Sequence, residues 1–348
     1  MRSLVIFHRH GHRAPAHNVY RSADEVALWS SLAVKSQTLE RLSASVCVQN
    51  DPINPPPRDS LTAPFGMLTE RGQLHLQQVG HSLRQLFKET IEVHRLRCFS
   101  TNYVRTQVSA QSLMVGLLGL EDDNTPSTIQ PQAQQHTIRV RPMSTCSLSF
   151  FDGQESLAES LIKRAQDGKA FRELNSHRTV AEVVSTMRRQ LQHVDKPDGT
   201  FNWLSCFDYF VCRREHGLAV SPGLADLDPV VAKIITTRYK IYFEEEPVLL
   251  ALFVLPMLEE LVVGLRQGRL TLFSCHDVNV IALLFAFKYP ALLDPDSSFW
   301  PGYGSTLSFE SRHDEVSANF NGACFAQFTI PQLEQEIMQP MRKTSQNI

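Results

Sequence analysis

The chain has 348 residues, 43% of them hydrophobic, and a formal net charge of −2. That length and apolar content can bury a large core and exclude a disordered chain, while the balanced charge leaves no electrostatic footprint for nucleic acid and no polybasic membrane surface. The longest uninterrupted apolar stretches, Val248 to Leu255 and Val280 to Phe287, fall well short of the roughly 20 residues of a membrane span, so none is expected.

The first predicted element is a strand over Ser3 to His8, whose Leu4-Val5-Ile6-Phe7 core suits a strand covered on both faces. It runs straight into Arg9-His10-Gly11-His12-Arg13-Ala14-Pro15. Arg9 and Arg13 offer cationic forks that match phosphate oxygens, the imidazole of His10 can attack phosphorus, and Gly11 allows a close backbone approach. A long irregular passage is expected next, rich in proline from Asn50 to Pro57. Helical spacing then begins at Leu68-Thr69-Glu70, with Thr69 placed to cap and Leu76, Val79, Leu83 and Leu86 on one stripe. A second strand, Leu96 to Ser100, leads to a helix marked by Ala110, Leu113, Met114, Leu117 and Leu118, which puts Arg105 in the strand-to-helix connection.

Glu121 to Gln135 is polar and reads as a linker or exposed excursion. From about Gln154 to Arg266 the spacing is largely helical, with stripes at Val180, Val183, Val184, Met187 and Leu191 and at Leu258, Leu261, Val262 and Leu265. Gln267-Gly268-Arg269 then turns the chain into a strand, Leu270 to Ser274, that ends at Cys275-His276-Asp277 before an apolar helix over Val278 to Phe287. The polar tail after Pro331 reads as a loose terminal helix or partly disordered. The expected organisation is an α/β core of residues 1–150 and 267–330, a mainly helical insert of 151–266 and a C-terminal tail of 331–348.

Three clusters, Arg9 to Arg13, Arg105 and His276-Asp277, thus follow separate strands, and in a parallel α/β sheet such strand ends meet at one crevice. Arg9, Arg13 and Arg105 with His276 would supply charge and directed donors to a phosphomonoester without a metal. A protonated Asp277 would donate to the leaving oxygen and then help activate water against phosphorylated His10. His8, His10 and His12 could share a strand face as metal ligands, but the flanking arginines would repel a divalent cation. His12 is a candidate for the substrate pocket or its edge. Cys275, beside His276, reads as a small buried hydrophobe before it reads as a redox switch. The seven cysteines are dispersed, odd in number and free of C-x-x-C pairs, and no N-glycosylation acceptor is present, so a reducing, cytoplasmic setting is expected.

The Arg9-His10-Gly11-His12-Arg13-Ala14-Pro15 and Ser274-Cys275-His276-Asp277 elements resemble the histidine phosphatase superfamily, in its acid phosphatase and phytase branch. Matches at Leu68-Thr69 and Gly72, at Arg105-Thr106-Gln107-Val108-Ser109-Ala110, at Tyr303-Gly304-Ser305 and at Phe320-Asn321-Gly322 extend the resemblance over most of the chain. It implies a Rossmann-like, mostly parallel sheet flanked by helices, with a helical cap inserted before the last catalytic strand. It also implies a nucleophilic role for His10, phosphate binding by Arg9, Arg13, Arg105 and His276, and proton donation by Asp277. The expected activity is phosphomonoester hydrolysis on a small-molecule substrate, with no metal or other cofactor. A phytase-like or lysophosphatidate-directed enzyme is the alternative, and a catalytically weak phosphate-binding scaffold the rival from another class. The oligomeric state is open, a homodimer being one option.

Overall fold

The computed structural model describes residues 2–50, 63–88, 96–120, 136–141, 146–148 and 154–346. Its described strands are β1 (Arg2–Arg9), β2 (Val46–Asn50), β3 (Arg97–Ser100), β4 (His136–Val140), β5 (Leu270–Cys275), β6 (Thr306–Arg312), β7 (Glu315–Phe320) and β8 (Ala323–Thr329). They form one sheet in the order β2-β4-β3-β5-β1-β6-β7-β8. The pairs from β2 to β1 are parallel, and β6, β7 and β8 extend the sheet antiparallel on the other side of β1.

β1 is central because every side chain from Leu4 to Phe7 has an apolar partner layer. Val5 and Phe7 pack on one face of the sheet, and Leu4 and Ile6 pack in a separate cluster on the other. Phe7 stacks on Phe273 of β5 at 4.7 Å between ring centroids, which ties the two strands at the end where the chemistry sits.

Around the sheet lie α1 (Ala23–Leu32), α2 (Ser36–Ser45), α3 (Glu70–Leu86), α4 (Val104–Leu118), α5 (Glu155–Gln166), α6 (Lys169–Ser176), α7 (Arg178–Gln190), α8 (Trp203–Glu215), α9 (Asp228–Glu245), α10 (Pro247–Arg266), α11 (Asp277–Ala286) and α12 (Pro290–Leu293). As expected, Thr69 caps α3, its hydroxyl accepting from Gly72 N at 3.3 Å. The helical reading of the segment from Gln154 to Arg266 also holds. Its helices differ in what they cover. Residues of α7, α8 and α9 share a core with Ala14, Trp29 and Tyr303, which seats α8 against the loop after β1. Val254, Met257, Leu258 and Leu261 of α10 pack instead on Val5, Phe7 and Phe273 of the sheet.

Some expectations need correction. The irregular passage after β1 contains α1, α2 and β2; each helix buries one residue, Trp29 or Leu42, so neither writes a repeating apolar stripe. Arg105 lies in the first turn of α4 rather than in a connection. The tail is helical over Ile330–Gln332, Leu333–Met338 and Gln339–Ser345, and buried Leu333 and Met338 anchor it to the core cluster of α10. By length and composition α10 could cross a membrane, unlike the short apolar runs read from the sequence; half of that stretch is buried, its apolar face against the sheet. The linker expected over Glu121 to Gln135 and the prolines from Pro52 to Pro57 lie outside the described residues.

Candidate active site

β1, β5 and β3 are neighbours in the sheet, so their carboxyl ends bring together what the sequence separates by more than two hundred residues. His10 continues from β1, with its backbone N–H donating to Cys275 O at 3.0 Å. The chain then turns at Gly11, whose N–H donates to Ser109 Oγ of α4 at 3.0 Å. A Cβ at Gly11 would lie 2.6 Å from Gly72 O and 2.8 Å from Leu76 Cδ2, so the close approach this glycine permits is to α3. Gly72 mirrors it, since a Cβ there would sit 2.1 Å from His12 O.

Arg9, His10, Arg13, Arg105, His276 and Asp277 all line one cleft of about 480 Å³. The rings of His10 and His276 are 5.5 Å apart. His10 Nδ1 lies 2.9 Å from Gly11 O, and because a carbonyl only accepts, Nδ1 carries the proton and Nε2 the lone pair. Burial, reinforced by Arg105, Arg13, Arg9 and His276, drives the His10 pKa well below the usual histidine value. Burial and Arg105 do the same to His276, whose Nε2 is 3.1 Å from Thr101 Oγ1.

Arg9 is held on three sides. Its Nη1 donates to Pro301 O at 2.6 Å, its Nη2 pairs with Asp277 Oδ2 at 2.8 Å, and its guanidinium lies 4.2 Å above the Tyr303 ring. Asp277 opens α11, accepting at Oδ2 from Trp300 Nε1 at 3.0 Å and at Oδ1 from Val278 N at 2.9 Å. Burial alone would raise its pKa, but Arg9, the Trp300 donor and the other nearby cations outweigh burial and lower it, favouring the carboxylate. Arg13 pairs end-on with Asp208 of α8. The Nε atoms of Arg9 and Arg13 are buried without a hydrogen-bond partner.

His12 belongs elsewhere. Its ring is 5.0 Å from Tyr303, 4.9 Å from His75 and 6.0 Å from His216, and its Nε2 is 3.4 Å from Glu215 Oε2. It is not among the residues that line this cleft. His8 is fully buried, its Nδ1 3.2 Å from Arg9 O. Cys275 is buried too, its thiol pKa raised by burial, as its reading as a small hydrophobe requires. Among the described residues no three His, Cys, Asp or Glu side chains form a group suited to a metal ion.

Sequence reasoning missed Asp208, Trp300 and Thr101, and gave Tyr303 no role. The insert did carry one signal. Ser205, Asp208, Cys212 and His216 recur every three or four residues along α8, a polar stripe of the kind that faces a site.

No curated protein matches the chain in sequence. In fold it is similar to the multiple inositol polyphosphate phosphatase of Bifidobacterium longum solved with inositol hexasulfate, at 11% identity and TM-score 0.62 over 97% of this chain and 92% of that one. It is also similar to the phytase of Citrobacter braakii, at 16% identity and TM-score 0.53 over 91% and 84%, and to the Hafnia alvei phytase solved with tartrate, at 12% and 0.54 over 99% and 96%. Residues 1–319 match the sequence pattern of the histidine phosphatase superfamily, branch 2. With nearly the whole chain covered by that match, this protein belongs to the histidine phosphatase superfamily, branch 2.

Proposed function

We propose that this phosphatase hydrolyses phosphomonoesters through a phosphohistidine at His10, with Arg9, Arg13, Arg105 and His276 binding the phosphoryl group and Asp277 moving the proton. The observation that carries the reading is the Gly11 carbonyl on His10 Nδ1, which leaves Nε2 as a nucleophile in a cleft lined by three arginines. Nε2 attacks phosphorus, the bond from phosphorus to the ester oxygen breaks, and Asp277 gives that oxygen a proton. Water then attacks the phosphohistidine as Asp277 takes its proton, the bond from phosphorus to Nε2 breaks with its electron pair returning to His10, and inorganic phosphate leaves.

Asp277 must first acquire a proton. A bound phosphate competes for Arg9 and adds negative charge beside Asp277, both of which raise the carboxyl pKa. The ester monoanion, whose own second pKa is about 6, can bring the proton with it. Turnover of an alkyl phosphate such as glycerol phosphate, whose leaving oxygen needs a proton, is therefore expected to peak in mild acid. The lowered pKa values of His10 and His276 keep both rings neutral as pH falls, whereas both proton sources are lost as pH rises. A profile of kcat/KM against pH checks this: a steady rise from about pH 5 to about pH 8 would overturn the assignment.

A phytase-like substrate is the second reading, favoured by Lys196 in the outer wall of the same cleft, where it could meet a further phosphate. We also propose a reducing, cytoplasmic setting, supported by seven free thiols. Native disulfides found by mass spectrometry would count against it.

A further inference from the structure

We propose that Asp208 is the positioning residue for Arg13, setting the phosphate-binding edge of that guanidinium from the helical insert; this rests on the phosphatase reading above. Asp208 Oδ2 accepts from Arg13 Nη1 at 2.9 Å and Oδ1 from Nη2 at 2.8 Å, with the two side chains only 12% and 10% exposed. Oδ2 also accepts from Ala16 N at 2.6 Å, so one carboxylate holds both the guanidinium and the loop that carries it. Arg13 Nη1 is further held by Ala14 O at 2.9 Å. Pairing through the terminal nitrogens leaves Nε, buried and without a partner, as the donor for a phosphate oxygen.

Charge gives a second reason for Asp208. Arg9, Arg13 and Arg105 line one cleft and repel one another when no anion is bound. Asp277 stands against Arg9 and Asp208 against Arg13, but the two carboxylates are differently employed. Both carboxylates line the cleft, and Asp277, beside His276 with Trp300 and Arg9 as partners, is the one assigned the proton. Asp208 is paired through both oxygens with Arg13 and also accepts from Ala16 N and from the Cys212 thiol, which donates to Oδ1 at 3.5 Å, and its assigned role is to act through Arg13.

The test measures para-nitrophenyl phosphate kinetics, competitive inhibition by inorganic phosphate and thermal midpoint for wild type, D208N, D208E, R13A and R13A/D208N. D208N keeps the shape but places an amide against the guanidinium. Its kcat/KM is expected to fall, and its phosphate inhibition constant to rise, by roughly 10- to 100-fold, the scale of a misplaced binding group. D208E, which restores the charge, is expected to recover most of that loss. In the R13A background D208N is expected to add less than about twofold, because its effect passes through Arg13. D208N within about twofold of an active wild type would overturn the proposal, as would independent, multiplying losses in the double variant. Were D208N too unstable to assay, D208S carries the same comparison, alone and in the R13A background. A wild type that neither hydrolyses the ester nor binds phosphate would sink the phosphatase reading itself, a result distinct from failure of Asp208 alone.

Discussion

Replacing His10 with alanine is expected to abolish turnover, with kcat lower by at least about 10⁴-fold, as when a covalent nucleophile is removed from an otherwise intact site. The protein should still fold and bind phosphate, because Arg9, Arg13 and Arg105 keep their places without the imidazole. Rapid quenching of wild type with labelled substrate should trap an acid-labile, base-stable phosphoprotein, and H10A should trap none. Among the described residues His276 is the imidazole found 5.5 Å from His10 in the cleft, and its Nε2 lies at hydrogen-bond distance from Thr101 Oγ1. H276A should therefore be slowed yet still form the phosphoprotein. Label retained by H10A and lost by H276A would exchange the two roles, and near-normal turnover by H10A would end the phosphohistidine mechanism.

The convergence of the candidate site residues on one cleft was legible because each part sits within a few residues of a strand end. Leu4 to Phe7 and Leu270 to Ser274 are uninterrupted buried runs, and Arg9-His10 and His276-Asp277 are what those runs deliver. His12, read from its place between Gly11 and Arg13 as lining the pocket or its edge, lies beyond the end of β1, where its ring meets His75, His216 and Tyr303. The antiparallel strands β6 to β8 could have been read. Leu307 with Phe309, and Val316 with Ala318 and Phe320, alternate as half-buried strands do, and Asn321-Gly322, both at positive φ, is a hairpin turn signal. Asp208 and Trp300 could not be assigned roles from local sequence. Their partners, Arg13 and Asp277, lie 195 and 23 residues away, and only the packing of α8 and of the loop before β6 makes them neighbours.

Replacing Asp277 with asparagine should separate substrates by how badly their leaving oxygen needs a proton. An alkyl phosphate such as glycerol phosphate expels a strongly basic alkoxide and depends on the acid, so its turnover should fall by about 10²- to 10⁴-fold, the usual worth of general acid catalysis. Para-nitrophenolate leaves readily as an anion, so formation of the phosphoenzyme from its ester should be much less affected. The second half-reaction also loses its base, so phosphohistidine should accumulate and para-nitrophenol should appear as a burst followed by slow turnover. The substitution also removes the charge facing Arg9 at 2.8 Å while asparagine can still accept from Trp300 Nε1, so phosphate should bind D277N at least as tightly as wild type. Tighter phosphate binding with a leaving-group-dependent loss of rate identifies a proton donor. Equal losses on both esters, weaker phosphate binding and no burst would instead make Asp277 a structural brace for Arg9, and the proton for the leaving oxygen would have to come from the substrate monoanion or from water.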